Sequence, residues 1–188
     1  QIKKAHPKWY MGYSDNTNMT FLLATLCDTA SIYGPCASSF GMEVWHDALH
    51  DAMNILTGKK AMGEAAGSSD WCVKNYDGWE KESLKSPEQP LAPYNITEPL
   101  KLRNFLGGVK TEESLTVEGR LLGGCLDCLI TILGTKYDKV TEFAERYQQD
   151  GILWFIESCN MDPMAIRRAM WQMEHAGWFR YAKGFLIG

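Results

Sequence analysis

Apolar positions along the chain change period several times, and each change marks an element. Trp9-Tyr10-Met11 is a short aromatic run ending at Gly12, after which Met19, Leu22, Leu23 and Leu26 recur at helical spacing from Asn16 onward. The pattern predicts strand, tight turn, helix. A second short strand, Ala30-Ser31-Ile32-Tyr33, stops at Gly34-Pro35, where a ladder cannot continue. Two such βα-type units side by side imply a parallel sheet. Residues Val44 to Leu56 alternate as an amphipathic helix closed by Gly58.

From Gly63 to Val117 the periodicity fades. Prolines at 87, 90, 93 and 99, scattered charge and the isolated aromatics Trp71, Tyr76 and Trp79 describe a connecting region, with room for short antiparallel strands. Order returns at Gly119-Arg-Leu-Leu-Gly-Gly124, followed by a helix through Leu126, Leu129, Ile130 and Leu133 that ends at Gly134. Gly151-Ile-Leu-Trp-Phe-Ile156 reads as a buried strand. A helix then runs from Pro163, favoured in a first turn, through Ile166, Met170 and Met173 to a cap at Gly177, and Gly184-Phe-Leu-Ile-Gly188 starts another strand.

Composition narrows the function. Of 188 residues, 45% are hydrophobic and 22% charged, enough to bury a core and contrary to disorder. The net charge of −4, without a long Lys/Arg cluster, argues against a nucleic-acid polymer as partner. Apolar stretches such as Ile152 to Ile156 fall far short of the roughly 20 residues needed to cross a bilayer, so no membrane partner is expected. Gln1-Ile2-Lys3-Lys4 has neither an initiating Met nor the apolar core of a signal peptide, and is not expected to be the natural N-terminus. Six cysteines without a repeating spacing fit a reducing cytoplasm. Cys125-Leu-Asp-Cys128 admits a redox or half-zinc reading, but no partner motif has suitable spacing, and two small residues in a packed helix are the better account. No metal and no cofactor are expected.

Three sets of residues could carry chemistry. Ser14 lies where strand gives way to helix, a geometry that exposes a side chain at the sheet's carboxyl edge beside free helix amides. The turn resembles half of a nucleophile elbow, with Asn16 in place of the second glycine; a helix N-cap is the other reading, because Ser14, Asp15, Asn16 and Thr17 are all capping types. Glu157 closes a buried strand, where it either orients a histidine, as a triad acid does, or marks a solvated boundary. A base is harder to find among His6, His46, His50 and His175. His46 and His50 form an i, i+4 pair that lacks the glutamate of the zinc-peptidase motif and suits a solvated face, while the helix dipole explains His175.

Five blocks together resemble a known family. Pro7-Lys-Trp-Tyr-Met-Gly-Tyr-Ser-Asp-Asn-Thr-Asn18, Tyr33-Gly-Pro35, Gly119-Arg-Leu-Leu-Gly-Gly-Cys-Leu126 with Leu133-Gly-Thr135, Ile152-Leu-Trp-Phe-Ile-Glu157, and Ala176-Gly-Trp-Phe179 before Gly184 resemble the LD-carboxypeptidase family of serine peptidases. The microcin C self-immunity carboxypeptidases are the most similar subgroup. The resemblance implies an α/β fragment spanning the end of one α/β domain and the start of a second. Residues 1–62 would be the C-terminal part of the nucleophile domain, 63–118 an aromatic-containing connection, and 119–188 the first part of the C-terminal domain.

By the same likeness Ser14 is the nucleophile, Glu157 the triad acid and the Asp15 backbone N–H an oxyanion donor. The triad histidine is expected downstream of the strand beginning at Gly184, outside this chain. Trp71, Tyr76 and Trp79 become candidates for substrate binding. Two departures touch local hydrogen bonds: Cys125 stands where asparagine is common after Gly-Gly, and Tyr33 where histidine often precedes Gly-Pro. The expected function is hydrolysis of an L,D-amide of murein peptides or of a microcin C-like aminoacyl nucleotide by a cytoplasmic homodimer. A non-catalytic binding or assembly module is the alternative, since an incomplete triad hydrolyses little.

Overall fold

The computed structural model describes residues 2–6, 8–59 and 78–188. Contacts divide the chain into two compact units, one built from the segment ending at Gly34 together with Thr116–Gly188, the other from Pro35–Leu115.

The first unit is organised around a parallel sheet. Strand β5 (Arg120–Cys125) pairs with β6 (Ile152–Glu157), which pairs with β7 (Ala182–Ile187), giving the order β5-β6-β7 with β6 in the centre. The register sets Arg120 opposite Ile152 and Cys125 opposite Glu157, so both strands end at one edge. Along β6, Ile152, Trp154 and Ile156 are buried while Leu153 and Phe155 are half-buried, as expected for a strand covered on both faces.

Helices α1 (Thr17–Cys27), α3 (Leu126–Ile132), α4 (Val140–Arg146) and α5 (Pro163–His175) belong to this unit. Helix α1 packs on β5 and α3, and α5 packs on α3. An aromatic stack centres the core: the Trp154 and Trp178 rings lie 5.9 Å apart and nearly parallel, and Phe21 lies 5.5 Å from Trp178. Full burial of such rings contributes about 2 to 3 kcal/mol each. The Trp178 indole N–H donates to Asp138 at 3.1 Å, so its polar edge is satisfied.

Helix α5 follows its sequence signals closely. Asp162 caps it by accepting from the Met164 and Ala165 N–H groups, both at 2.8 Å, Pro163 opens it, and Gly177 follows it at φ 84°. The expected strands at 9–11 and 30–33 reduce to one parallel bridge between Met11 and Ile32, with Ile32 N–H donating to the Tyr10 carbonyl at 2.9 Å. Direction is as expected; length is not, because Trp9 and Tyr10 bury too little to sustain a ladder.

In the second unit α2 (Asp47–Leu56) starts three residues later than the apolar pattern implied. His46 is extended (ψ 153°) and its Nδ1 accepts the Ala48 N–H at 3.2 Å, which makes it the N-cap rather than part of a helix face. Two short antiparallel pairs follow: β1 (Gly78–Glu80) with β2 (Ile96–Pro99), and β3 (Asn104–Leu106) with β4 (Val109–Thr111). The second pair turns through Gly107 and Gly108, at φ 59° and 83°, the positive-φ pair that a two-residue hairpin demands.

Candidate active site

Ser14 begins a single 3-10 turn (Ser14–Asn16) that leads directly into α1. Its φ of 58° is left-handed, a conformation that costs a non-glycine residue about 1 to 3 kcal/mol and persists only where surrounding contacts fix it. Those contacts are visible. Gly12 approaches so closely that a Cβ there would lie 2.4 Å from the Asn16 side chain, and Asn16 is held by the Tyr10 hydroxyl at 2.6 Å. Neither the turn nor α1 has a side-chain cap hydrogen bond, and Ser14 is the cap residue of neither. The capping account of Ser14 therefore does not describe this turn.

Glu157 is the last residue of β6 and half-buried. One of its oxygens, Oε1, accepts the Tyr33 hydroxyl at 2.5 Å. The same phenol oxygen accepts the Ser14 N–H at 3.0 Å and lies 3.5 Å from the Thr17 hydroxyl. Ser14 and Glu157 are thus brought to one place through Tyr33. Burial, and then the hydrogen bond to Glu157, raise the Tyr33 phenol well above its ordinary range, so it remains a neutral donor.

The Asp15 N–H lies in the first turn of this helical segment, where backbone amides have no intrahelical acceptor. The Ser14 N–H is occupied by the Tyr33 oxygen. Beneath the turn, the Cys128 thiol lies 3.8 Å from the Ser14 carbonyl and 3.6 Å from Asp15 Oδ1. Cys125 and Cys128 are both buried and free. Burial first, then the charges of Glu157 and Asp127, push the Cys125 thiol up to about 12. It is a protonated packing group, not a nucleophile.

The loop after Glu157 is fixed from α3. Asp127 accepts from the Ser158 hydroxyl at 3.0 Å, the Cys159 N–H at 3.1 Å and the Asn160 N–H at 3.3 Å. Burial opposes its ionisation, but these donors outweigh it and hold the carboxyl below its usual range. A second carboxylate therefore anchors the chain just past the candidate acid.

His46, His50 and His175 are engaged in local contacts. His175 bonds the Trp171 carbonyl at 2.9 Å and stacks on the Trp171 ring at 4.3 Å; His50 lies against Trp45. Of the three aromatic candidates, Trp79 is 48% exposed on β1 opposite Glu98, whereas Trp71 and Tyr76 lie outside the described residues. Among the described residues no group of three or more His, Cys, Asp or Glu side chains could hold a metal ion, and no helix is long and apolar enough to cross a membrane.

The sequence pattern marks Tyr33 only as a departure from the family pattern and Thr17 only as a capping type. A signal was present: a parallel strand ending at Tyr33 and another ending at Glu157 bring both residues to carboxyl edges, where open α/β folds build their sites.

Residues 118–188 match the LD-carboxypeptidase C-terminal domain. No curated protein matched in the corresponding sequence search. Among solved structures, MccF in complex with glutamyl sulfamoyl guanosine aligns over 97% of this chain with a TM-score of 0.63 and 20% identity. The microcin C7 self immunity protein MccF in complex with aspartyl sulfamoyl adenosine gives a TM-score of 0.60 at 18% identity over 97% of the chain. Muramoyltetrapeptide carboxypeptidase from Oxalobacter formigenes gives 0.52 at 17% identity over 96%. The chain spans about half the length of these proteins: 49% of both MccF chains and 45% of the carboxypeptidase. Residues 118–188 thus match the LD-carboxypeptidase C-terminal domain, and the chain as a whole shares its α/β fold with MccF and the muramoyltetrapeptide carboxypeptidase.

Proposed function

We propose that the chain supplies the nucleophile and acid of a serine carboxypeptidase that hydrolyses an L,D-amide, either of a murein peptide or of a microcin C-like aminoacyl nucleotide. The observation that carries this reading is the left-handed Ser14 turn joined to Glu157 through one phenol oxygen. Ser14 Oγ attacks the amide carbonyl as a histidine from the full-length protein takes its proton. The Asp15 N–H stabilises the oxyanion, the C–N bond breaks as that proton passes to the leaving amine, and water then hydrolyses the acyl-serine. Glu157 orients the imidazole and stabilises its charge.

The aminoacyl-nucleotide branch is favoured by the likeness to MccF, whose structures hold aminoacyl sulfamoyl nucleosides. In that case exposed Trp79 is available to stack on a base, an interaction worth about 1 to 3 kcal/mol, with Trp71 and Tyr76 as further candidates. The working form is proposed to be a cytoplasmic homodimer without cofactor.

The test uses the full-length protein and its Ser14→Ala form, following release of the terminal amino acid by mass spectrometry from an L,D-tetrapeptide and from an aminoacyl sulfamoyl adenosine surrogate with a cleavable amide. Turnover lost in Ser14→Ala supports the assignment; equal turnover by both proteins removes it. The substrate that is cleaved chooses the branch.

A further inference from the structure

We propose that Tyr33 is a positioning residue for this reaction, setting the acid Glu157 and the backbone of the nucleophile Ser14 in register through one oxygen atom. The inference rests on the hydrolase reading above.

The hydrogen-bond polarity is forced. A backbone N–H only donates, so the Tyr33 oxygen must accept from Ser14 at 3.0 Å, and the phenol's single proton goes to Glu157 Oε1 at 2.5 Å. A similar constraint acts one step further back. The Cys125 N–H donates to Thr17 Oγ1 at 2.9 Å, which leaves the Thr17 proton to point at Tyr33 across a longer 3.5 Å. Every donor in this chain points toward Glu157, an arrangement that suits a carboxylate and would be broken by reversing any member.

The phenol is held as well as bonded. Its ring packs on Phe155, the residue preceding Ile156 on β6, at a centroid distance of 5.2 Å. Ring and hydroxyl therefore have separable duties: the ring fills space against the sheet, and the hydroxyl fixes where the acid and the Ser14 turn lie. Ser14 sits in a left-handed conformation that its surroundings must hold, so a displaced N–H at this residue moves the attacking Oγ as well.

Replacing Tyr33 with Phe in the full-length protein removes the hydroxyl and keeps the ring. The expected result is a kcat lower by about 10- to 100-fold, as for angstrom-scale misplacement of reacting groups, with KM little changed. A double-mutant cycle supplies the readout that a merely structural role would not move: in a Glu157→Gln background the same change should cost clearly less than in the wild type, because one of its two targets is already disabled. Installing 4-fluorophenylalanine at position 33 fills the hydroxyl's volume without donating, and should reproduce the loss if Y33F itself folds poorly. Wild-type kcat in either variant, or an equal fractional loss with and without Glu157, overturns the positioning role. Activity retained by Ser14→Ala would instead overturn the hydrolase reading, so the two failures are distinct.

Discussion

Thr17 occupies the space that a side chain at Gly124 would need. A Cβ on Gly124 would lie 2.6 Å from Thr17 Cγ2 and 2.7 Å from Oγ1, while that same Oγ1 accepts the Cys125 N–H at 2.9 Å. The first turn of α1 and the carboxyl end of β5 are thereby locked together, three residues from Ser14.

Gly124→Ala should consequently do more damage than a typical glycine change. Gly124 has φ 145°, and the added methyl would meet a buried residue that cannot withdraw without giving up its hydrogen bond. Overpacking and backbone strain together predict a loss of about 2 to 4 kcal/mol. Chemical denaturation of the wild type and G124A measures it. A loss indistinguishable from that of an exposed surface substitution would show that Thr17 is free to move.

The uneven legibility of this chain follows from the range of its interactions. Helix α5 was readable because Asp162, Pro163 and Gly177 act within a few residues of its ends. Strand β6 was readable because five consecutive apolar residues leave no polar face for an amphipathic helix. Helix α4 was not anticipated: seven residues long, it has no side-chain cap hydrogen bond and buries only Val140, Phe143 and Ala144, too little for a periodic signal. The partnership of Tyr33 with Glu157 spans 124 positions, and no local rule reports it. The sequence could place Glu157 at a strand end, but only the folded chain shows which donor meets it.

Glycine at position 14 offers a different trade. An L-residue in the left-handed region is disfavoured by about 1 to 2 kcal/mol, while glycine carries an unfolded-state penalty of about 0.5 to 1 kcal/mol. With φ 58° at Ser14, Ser14→Gly should be more stable than Ser14→Ala by about 0.5 to 1 kcal/mol, the reverse of the order in a regular helix. Both variants should fail to turn over substrate if Ser14 is the nucleophile. Paired urea titrations give the comparison, and an S14A form more stable than S14G would mean that the turn relaxes out of the left-handed region.

Cys125 makes the fold sensitive to alkali. The thiol is 2% exposed, and burial raises its ionisation to about 12, reinforced by the neighbouring charges of Glu157 and Asp127 and opposed by the Asp127 N–H. In the unfolded chain it titrates near its ordinary value of about 8.5. Below that pH both states hold the proton, and this group adds no slope. Between about 8.5 and 12 the unfolded state has released a proton that the folded state keeps, so stability falls as pH rises through this window. Tyr33 is shifted in the same direction and adds to the decline above about 10, the ordinary phenol value. Cys125→Ala removes only the thiol's share. The stability difference between wild type and C125A should be constant around neutral pH and should move in favour of C125A between about pH 9 and pH 10.5, measured by urea denaturation with reductant present. A difference that stays fixed across that interval would mean that the Cys125 thiol ionises no harder in the folded protein than in the unfolded chain, and that the carboxylates beside it are better screened than their geometry implies.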